Sequence, residues 1–391
     1  MTPFHIRVEQ AVLDDLNARL AATRWPDAVD GVGWMQGADL AAMQGLAGYW
    51  REAFDWRRAE ARLNAFPQYR CVVDGVGIHF VHVRGRGPRP LPLVLTHGWP
   101  GSFIEFLDLL PRLTDPEAHG GRPEDAFDVV VPSMPGFGFS DRPRAAGMNV
   151  WRMAELWAGL MTRLGYGRFA AHGGDFGAGV TTALGLRHPE RLVGLHLNYI
   201  PGSYAPVVPA HAPLTDEERG FLAAAESWYA AEGGYAHLQA TTPQTPGFAL
   251  NDSPAGLMAW IVEKFRAWGD CEGDLERRFD PDTLLTNVMI YWITGTIASA
   301  NRLYWETRRA PMRFAPGERV NVPCGIARFP REAPFPPRAW VERGYDVRRW
   351  TEMPSGGHFA ALEEPVALAA DLRACFREWR DGRGPEGLSA M

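Results

Sequence analysis

The sequence predicts an α/β fold: a mostly parallel sheet with helices on both faces, a helical lid and an N-terminal helical extension. Three observations predict it. Short, continuously apolar runs (LPLVLTHG, FDVVVPSMPG, RFAAHGGD, LVGLHLNY) alternate with helical stretches between Leu91 and Tyr199. That is the texture of strands buried on both faces of a parallel sheet. From about residue 203 to 306 the strand-like runs stop and the chain reads helical, rich in Ala, Trp and Tyr. They return at VNVPCGIARFP and DVRRWTEMPSGGHF, so the helical block is an insertion over the strand ends.

Four segments follow in chain order. Residues 1–66 read helical, with Val12, Leu13, Leu16 and Leu20 on one helical face. Residues 67–202 form the first part of the core and open with two β-runs, joined at Asp74-Gly75 as a hairpin. Residues 203–306 are the lid. Residues 307–391 complete the core and end in a tail, RDGRGPEGLSAM, whose composition reads as disordered.

Composition excludes several function classes. The chain has 391 residues, 46% of them hydrophobic, and a net charge of -6. That balance lacks the basic bias of a nucleic-acid binder. MTPFHIRVEQ has no basic n-region followed by an apolar stretch, so it is not a secretory signal. No run of about 18 apolar residues is present, so no membrane span is expected. The four cysteines are scattered, without metal-type or disulfide spacing, which points to a reduced cytoplasm. Lys264 is the single lysine among 40 basic residues. It reads as the codon bias of a GC-rich genome such as an actinomycete's, with no bearing on chemistry.

The chemistry-bearing residues centre on HGGDFGAG. With Ser in place of Asp175 the motif would read Gly-x-Ser-x-Gly, the sharp strand-to-helix turn that lifts a nucleophile above an α/β-hydrolase sheet. The small residues Gly173 and Gly177 allow that turn, and a helix is predicted to start near Ala178. His358, in SGGHFAALEEP, falls in a Gly-rich loop after the last strand and before the last helix, where such a fold keeps its base. The orienting acid should follow the preceding strand: Glu332, in RFPREAP, fits, and Asp346 is the rival. After the run LPLVLT, the turn His97-Gly98-Trp99-Pro100 can aim the Trp99 N–H at a developing oxyanion, paired with the N–H of Phe176. No histidine pair has metal-ligand spacing, and GFGFS lacks a full dinucleotide fingerprint. No metal and no cofactor are expected.

Together these pieces resemble the microsomal-type (juvenile-hormone-like) epoxide hydrolases, a branch of the α/β-hydrolases, over nearly the whole chain. Arg24-Trp25-Pro26, HGWPGSFIEF, PSMPGFGFS, GGDFG, NDSPAGL, LLTNVMIYWITGT and GGHFAALEEP all look like motifs of that family. The resemblance implies that Asp175 is the nucleophile, Glu332 the acid and His358 the base. It also implies that Tyr235, in GGYAHLQ, and Tyr304, in NRLYWE, hold the epoxide oxygen; without it both would pass for core aromatics. Two departures stand out. Mammalian members begin with a membrane anchor that is lacking here, and their nucleophile is followed by Trp where this chain has Phe176. With the GC-rich bias, the resemblance suggests a soluble actinomycete member serving an antibiotic pathway of the enediyne type. The implied activity is hydrolysis of an epoxide to a vicinal diol. A haloalkane dehalogenase with the same Asp nucleophile and a non-catalytic binding protein of this fold are the alternatives. The expected partner is a small-molecule epoxide, with no nucleic acid and no membrane anchor; the sequence leaves room for a homo-oligomer without specifying one.

Overall fold

The computed structural model describes residues 1–206 and 213–380. Its nine strands are β1 (Thr2–Phe4), β2 (Gln68–Val73), β3 (Val76–Val83), β4 (Leu91–Thr96), β5 (Phe127–Pro132), β6 (Phe169–Gly173), β7 (Leu192–Leu197), β8 (Val320–Arg328) and β9 (Tyr345–Glu352). They form one sheet in the order β1-β2-β3-β5-β4-β6-β7-β8-β9. The pairs from β5 through β9 are parallel, and β1, β2 and β3 add an antiparallel edge. Every residue of β5, β6 and β7 is buried, which requires cover on both faces and explains their unbroken apolar character.

The β2–β3 hairpin turns at Asp74 and Gly75, both with positive φ, 45° and 79°. That is the two-residue turn an Asp-Gly pair favours. The N-terminal segment departs from expectation in two ways. It is not wholly helical: Thr2, Pro3 and Phe4 pair with Arg70, Tyr69 and Gln68 as an edge strand, too short to leave a periodic signature. Val12 is also turned outward, while Leu13, Leu16 and Leu20 are buried; the apolar stripe is one residue narrower than its sequence suggests.

Among the described residues, six α-helices between β7 and β8 make the lid: Asp216–Glu232, Gly234–Thr241, Gln244–Leu250, Pro254–Trp268, Pro281–Thr294 and Ile297–Arg309. The N-terminal helices pack on this lid. Tyr49 donates to Asp282, Arg58 pairs with the same carboxylate, and Arg19 reaches Asp252. Apart from Arg380, the tail read as disordered lies outside the described residues. No helix among the described residues is long and apolar enough to cross a membrane.

Candidate active site

Asp175 stands where β6 ends and the helix Asp175–Arg187 begins. The helix starts three residues earlier than its sequence suggests, because Ala178 N–H already reaches Gly174 O at 3.0 Å. Asp175 has φ of 46°, a left-handed backbone conformation that non-glycine residues seldom adopt. The turn closes because its neighbours are glycines. A Cβ on Gly173 would come within 2.2 Å of Gly177 O, and one on Gly177 within 1.9 Å of Thr96 O. Oδ1 of Asp175 accepts the Trp99 N–H at 2.9 Å. The Phe176 N–H belongs to the first turn of the helix, where backbone donors have no partner within the helix.

The turn His97-Gly98-Trp99-Pro100, with Trp99–Pro100 cis, is tied down from both sides. Met134 N–H donates to His97 Nε2 at 3.2 Å, so Nδ1 carries the hydrogen and donates to Gly98 O at 3.0 Å. Burial pushes the ring down to about 4, keeping it neutral. From the lid, Asn287 donates to Pro100 O at 2.8 Å and Tyr291 to Gly101 O at 2.7 Å. His97 is thus a structural pin for the backbone that presents Trp99 N–H.

His358 lies between two carboxylates. Its Nδ1 donates to Glu332 Oε1 at 2.7 Å, and its Nε2 stands 3.6 Å from Asp175 Oδ2. Burial works against a charged ring. The Glu332 carboxylate, hydrogen-bonded to the ring, and the nearby Asp175 carboxylate outweigh it and hold the imidazole well above its ordinary value. Asp346, the rival acid, is spent on Arg348 at 2.9 Å.

The lid supplies the remaining side chains. Tyr235 stacks on Trp99 with ring centres 5.1 Å apart, and Tyr304 meets Tyr235 edge-on at 5.6 Å and Phe176 at 4.7 Å. Burial first, then the Asp175 charge, raises the Tyr235 phenol; burial, Tyr235 and Asp175 raise Tyr304. Both remain protonated donors around neutral pH. They face Asp175 across a cavity of about 210 Å³, lined also by Phe176, Tyr199 and Tyr229. Thus Asp175, His358, Glu332, Trp99, Phe176, Tyr235 and Tyr304 come together from distant parts of the chain.

Sequence reasoning missed two carboxyls here. Glu363 accepts from the N–H groups of Asp270, Gly357 and Phe359 at 2.7–2.9 Å. It fixes the loop on either side of His358, whose own N–H reaches Trp268 O at 3.0 Å. Burial pushes Glu363 up to about 7, against those three donors. Glu105 lines a small space of about 20 Å³ together with Trp99, Asp175 and His358. Burial pushes it up to about 8. It reaches there only because residue 101 is glycine: a Cβ would sit 1.5 Å from its Oε1. The Gly-x-x-x-Glu spacing in HGWPGSFIEF was the available signal. No cluster of metal-ligating residues occurs among the described residues.

Comparison with known proteins identifies the family. A family model described as epoxide hydrolase N terminus matches residues 1–106, and the alpha/beta hydrolase fold model matches residues 92–256. A chain from Stigmatella aurantiaca is 51% identical over 385 residues, covering 97% of this chain and 86% of the relative. Epoxide hydrolase 1 of Oryctolagus cuniculus is 38% identical, with 95% and 87% covered. The crystal structure of juvenile hormone epoxide hydrolase from Bombyx mori superposes with a TM-score of 0.84 at 30% identity, covering 98% of this chain and 95% of that one. That of Aspergillus niger epoxide hydrolase gives 0.83 at 31%, with 96% of each covered. The chain therefore belongs to the microsomal-type epoxide hydrolase family of the α/β-hydrolases.

Proposed function

We propose that this protein opens an epoxide and hydrolyses it to a vicinal diol through an ester on Asp175. One observation carries the reading. A carboxylate on a forced turn has two protonated phenols across the cavity in front of it, and an imidazole–carboxylate pair beside it.

The residue types suit each step. A carboxylate is ionised at neutral pH and needs no base to attack. Oδ2 attacks an epoxide carbon while Tyr235 and Tyr304 hydrogen-bond the departing oxygen and one phenol protonates it. The carbon–oxygen bond breaks as the ester bond forms, and the phenolate regains the proton that His358 releases. Esterification removes the Asp175 charge, and with it part of what holds His358 protonated, so the ring becomes a base when one is needed. His358 then takes a proton from water, oriented by Glu332. A space of about 20 Å³ beside Asp175, His358 and Glu105 is large enough for one water. The tetrahedral oxyanion forms on Oδ1, which the Trp99 N–H already holds, with Phe176 N–H as second donor; one such donor is worth about 3 kcal/mol. Its collapse breaks the Cγ–Oδ2 bond, and the departing diol oxygen takes the proton of the new carboxyl group, which returns Asp175 to its ionised state. No cofactor enters.

The phenol pair also separates this reading from a dehalogenase. A halide leaves as a weak base and needs N–H donors, whereas an alkoxide needs an acid, and the ring of Phe176 offers no N–H. The fit of the triad side chains argues against a non-catalytic binder. A His358→Gln variant, incubated with styrene oxide and with a haloalkane, is expected to gain the mass of a whole epoxide at Asp175. A gain of the haloalkane minus HX would favour the dehalogenase, and no adduct with either would count against the ester.

A further inference from the structure

Of the 40 lysine and arginine side chains in the sequence, all but one are arginine. Composition makes the exception, Lys264, look incidental. The fold does not. Lys264 lies on the lid helix Pro254–Trp268, is 8% exposed, and holds its ammonium 5.0 Å from the ring centre of Tyr235 and 5.6 Å from that of Trp268. Glu263 Oε2 at 2.7 Å and Glu232 Oε2 at 3.6 Å anchor it. Both carboxylate side chains are more exposed than the lysine, 21% and 32% against 10%, so solvent and salt screen them more. The Tyr235 ring has the ammonium 5.0 Å from its centre, within cation–π range, although the Glu232 charge also acts on its phenol. Trp268 in turn meets the His358 ring at 5.1 Å.

We propose that Lys264 is a positioning residue for ring opening that acts through Tyr235: its ammonium stabilises the negative charge gathering on that phenol as it protonates the epoxide oxygen. The proposal rests on the reading of Tyr235 above and deepens it, because it separates the two phenols. Tyr235, with the cation over its ring, transfers the proton; Tyr304, whose ring neighbours are Trp99, Phe176 and Tyr235, donates only a hydrogen bond. A cation is attracted to an aromatic face, and more strongly as the ring gains negative charge. The interaction is thus larger in the transition state than in the ground state, the condition for accelerating a step. The residue choice follows. An ammonium is a compact point charge on a flexible stem, whereas a guanidinium is a broad planar fork. Between two rings and two carboxylates the compact charge stands at this one position, in a chain that otherwise uses arginine throughout.

The test is single-turnover kinetics with styrene oxide, following ester formation and ester hydrolysis separately, on Lys264→Met and Lys264→Gln in the wild-type, Tyr235→Phe and Tyr304→Phe backgrounds. Lys264→Met is expected to slow ester formation about tenfold and to leave ester hydrolysis unchanged. The effect should vanish in Tyr235→Phe and persist in Tyr304→Phe. Equal slowing in the Tyr235→Phe background would overturn the proposal, as would normal ester formation in folded Lys264→Met. Loss of fold in both lysine variants would also overturn it, assigning Lys264 to the scaffold. If Tyr235→Phe itself forms the ester at the wild-type rate, the reading of Tyr235 fails instead, and the proposal falls with it by a distinguishable route.

Discussion

Trp99 donates its backbone N–H to Oδ1 of Asp175 at 2.9 Å, leaving Oδ2 as the oxygen 3.6 Å from His358 Nε2. The two carboxylate oxygens are thereby made different before any substrate arrives. In the proposed mechanism Oδ1, held by the Trp99 N–H, becomes the ester carbonyl, and Oδ2 attacks and becomes the ester oxygen.

The two lid phenols should show up in the first step alone. Tyr235→Phe or Tyr304→Phe is expected to slow ester formation by roughly 10- to 100-fold, and the double variant to bring it close to zero, since general-acid assistance is typically worth 10²–10⁴. Rapid-quench measurement of the ester separates this from hydrolysis. Normal ester formation in the double variant would remove both residues from the mechanism.

Glu332 holds His358 protonated, against burial, in the resting protein. In Glu332→Gln the ring's pKa should fall, which NMR titration of His358 reads directly, and ester hydrolysis should slow by roughly a hundredfold or more. The stability consequence has a definite sign. A folded-state pKa raised above about 6.5 stabilises the fold fully below that value, and this contribution is lost as pH rises through the folded value. Urea midpoints of wild type and Glu332→Gln should therefore differ most in mild acid and converge in alkali.

Glu363 accepts three backbone N–H groups around the His358 loop. Glu363→Ala leaves those donors buried and unpaired. It is expected to cost roughly 3 kcal/mol or more in urea unfolding. Ester hydrolysis, which uses His358, should suffer more than ester formation. Equal losses in both steps would mean that Glu363 serves the fold and not the base.

How much of this was legible in the sequence depends on how local each signal is. The elbow at Asp175 was legible because strand, two glycines and helix lie within a dozen residues. His358 was legible from its loop and late position. Glu332 and Asp346 could not be separated by pattern, since both lie close to strand ends; the hydrogen bond to His358 and the Arg348 pairing separate them. The tyrosines came only through family resemblance, because an aromatic in a Trp- and Tyr-rich lid carries no mark of which way it faces. The edge strand Thr2–Phe4 was missed because its partner lies more than 60 residues away. Lys264 was missed because Tyr235 and the carboxylate Glu232 are brought beside it by the fold; Glu363 and Glu105 had local signals, the His358 loop four to six residues away and the Gly101 spacing, that were not used.

The central claim is the ester on Asp175. A single turnover in ¹⁸O-water, with enzyme in excess over styrene oxide, tests it most directly. The diol from that turnover should carry no label, because its new oxygen is Oδ2 of Asp175, and the label should appear in the Asp175 carboxylate. Labelled diol in the first turnover, with an unlabelled Asp175, would mean that water attacks the epoxide directly and that no ester forms.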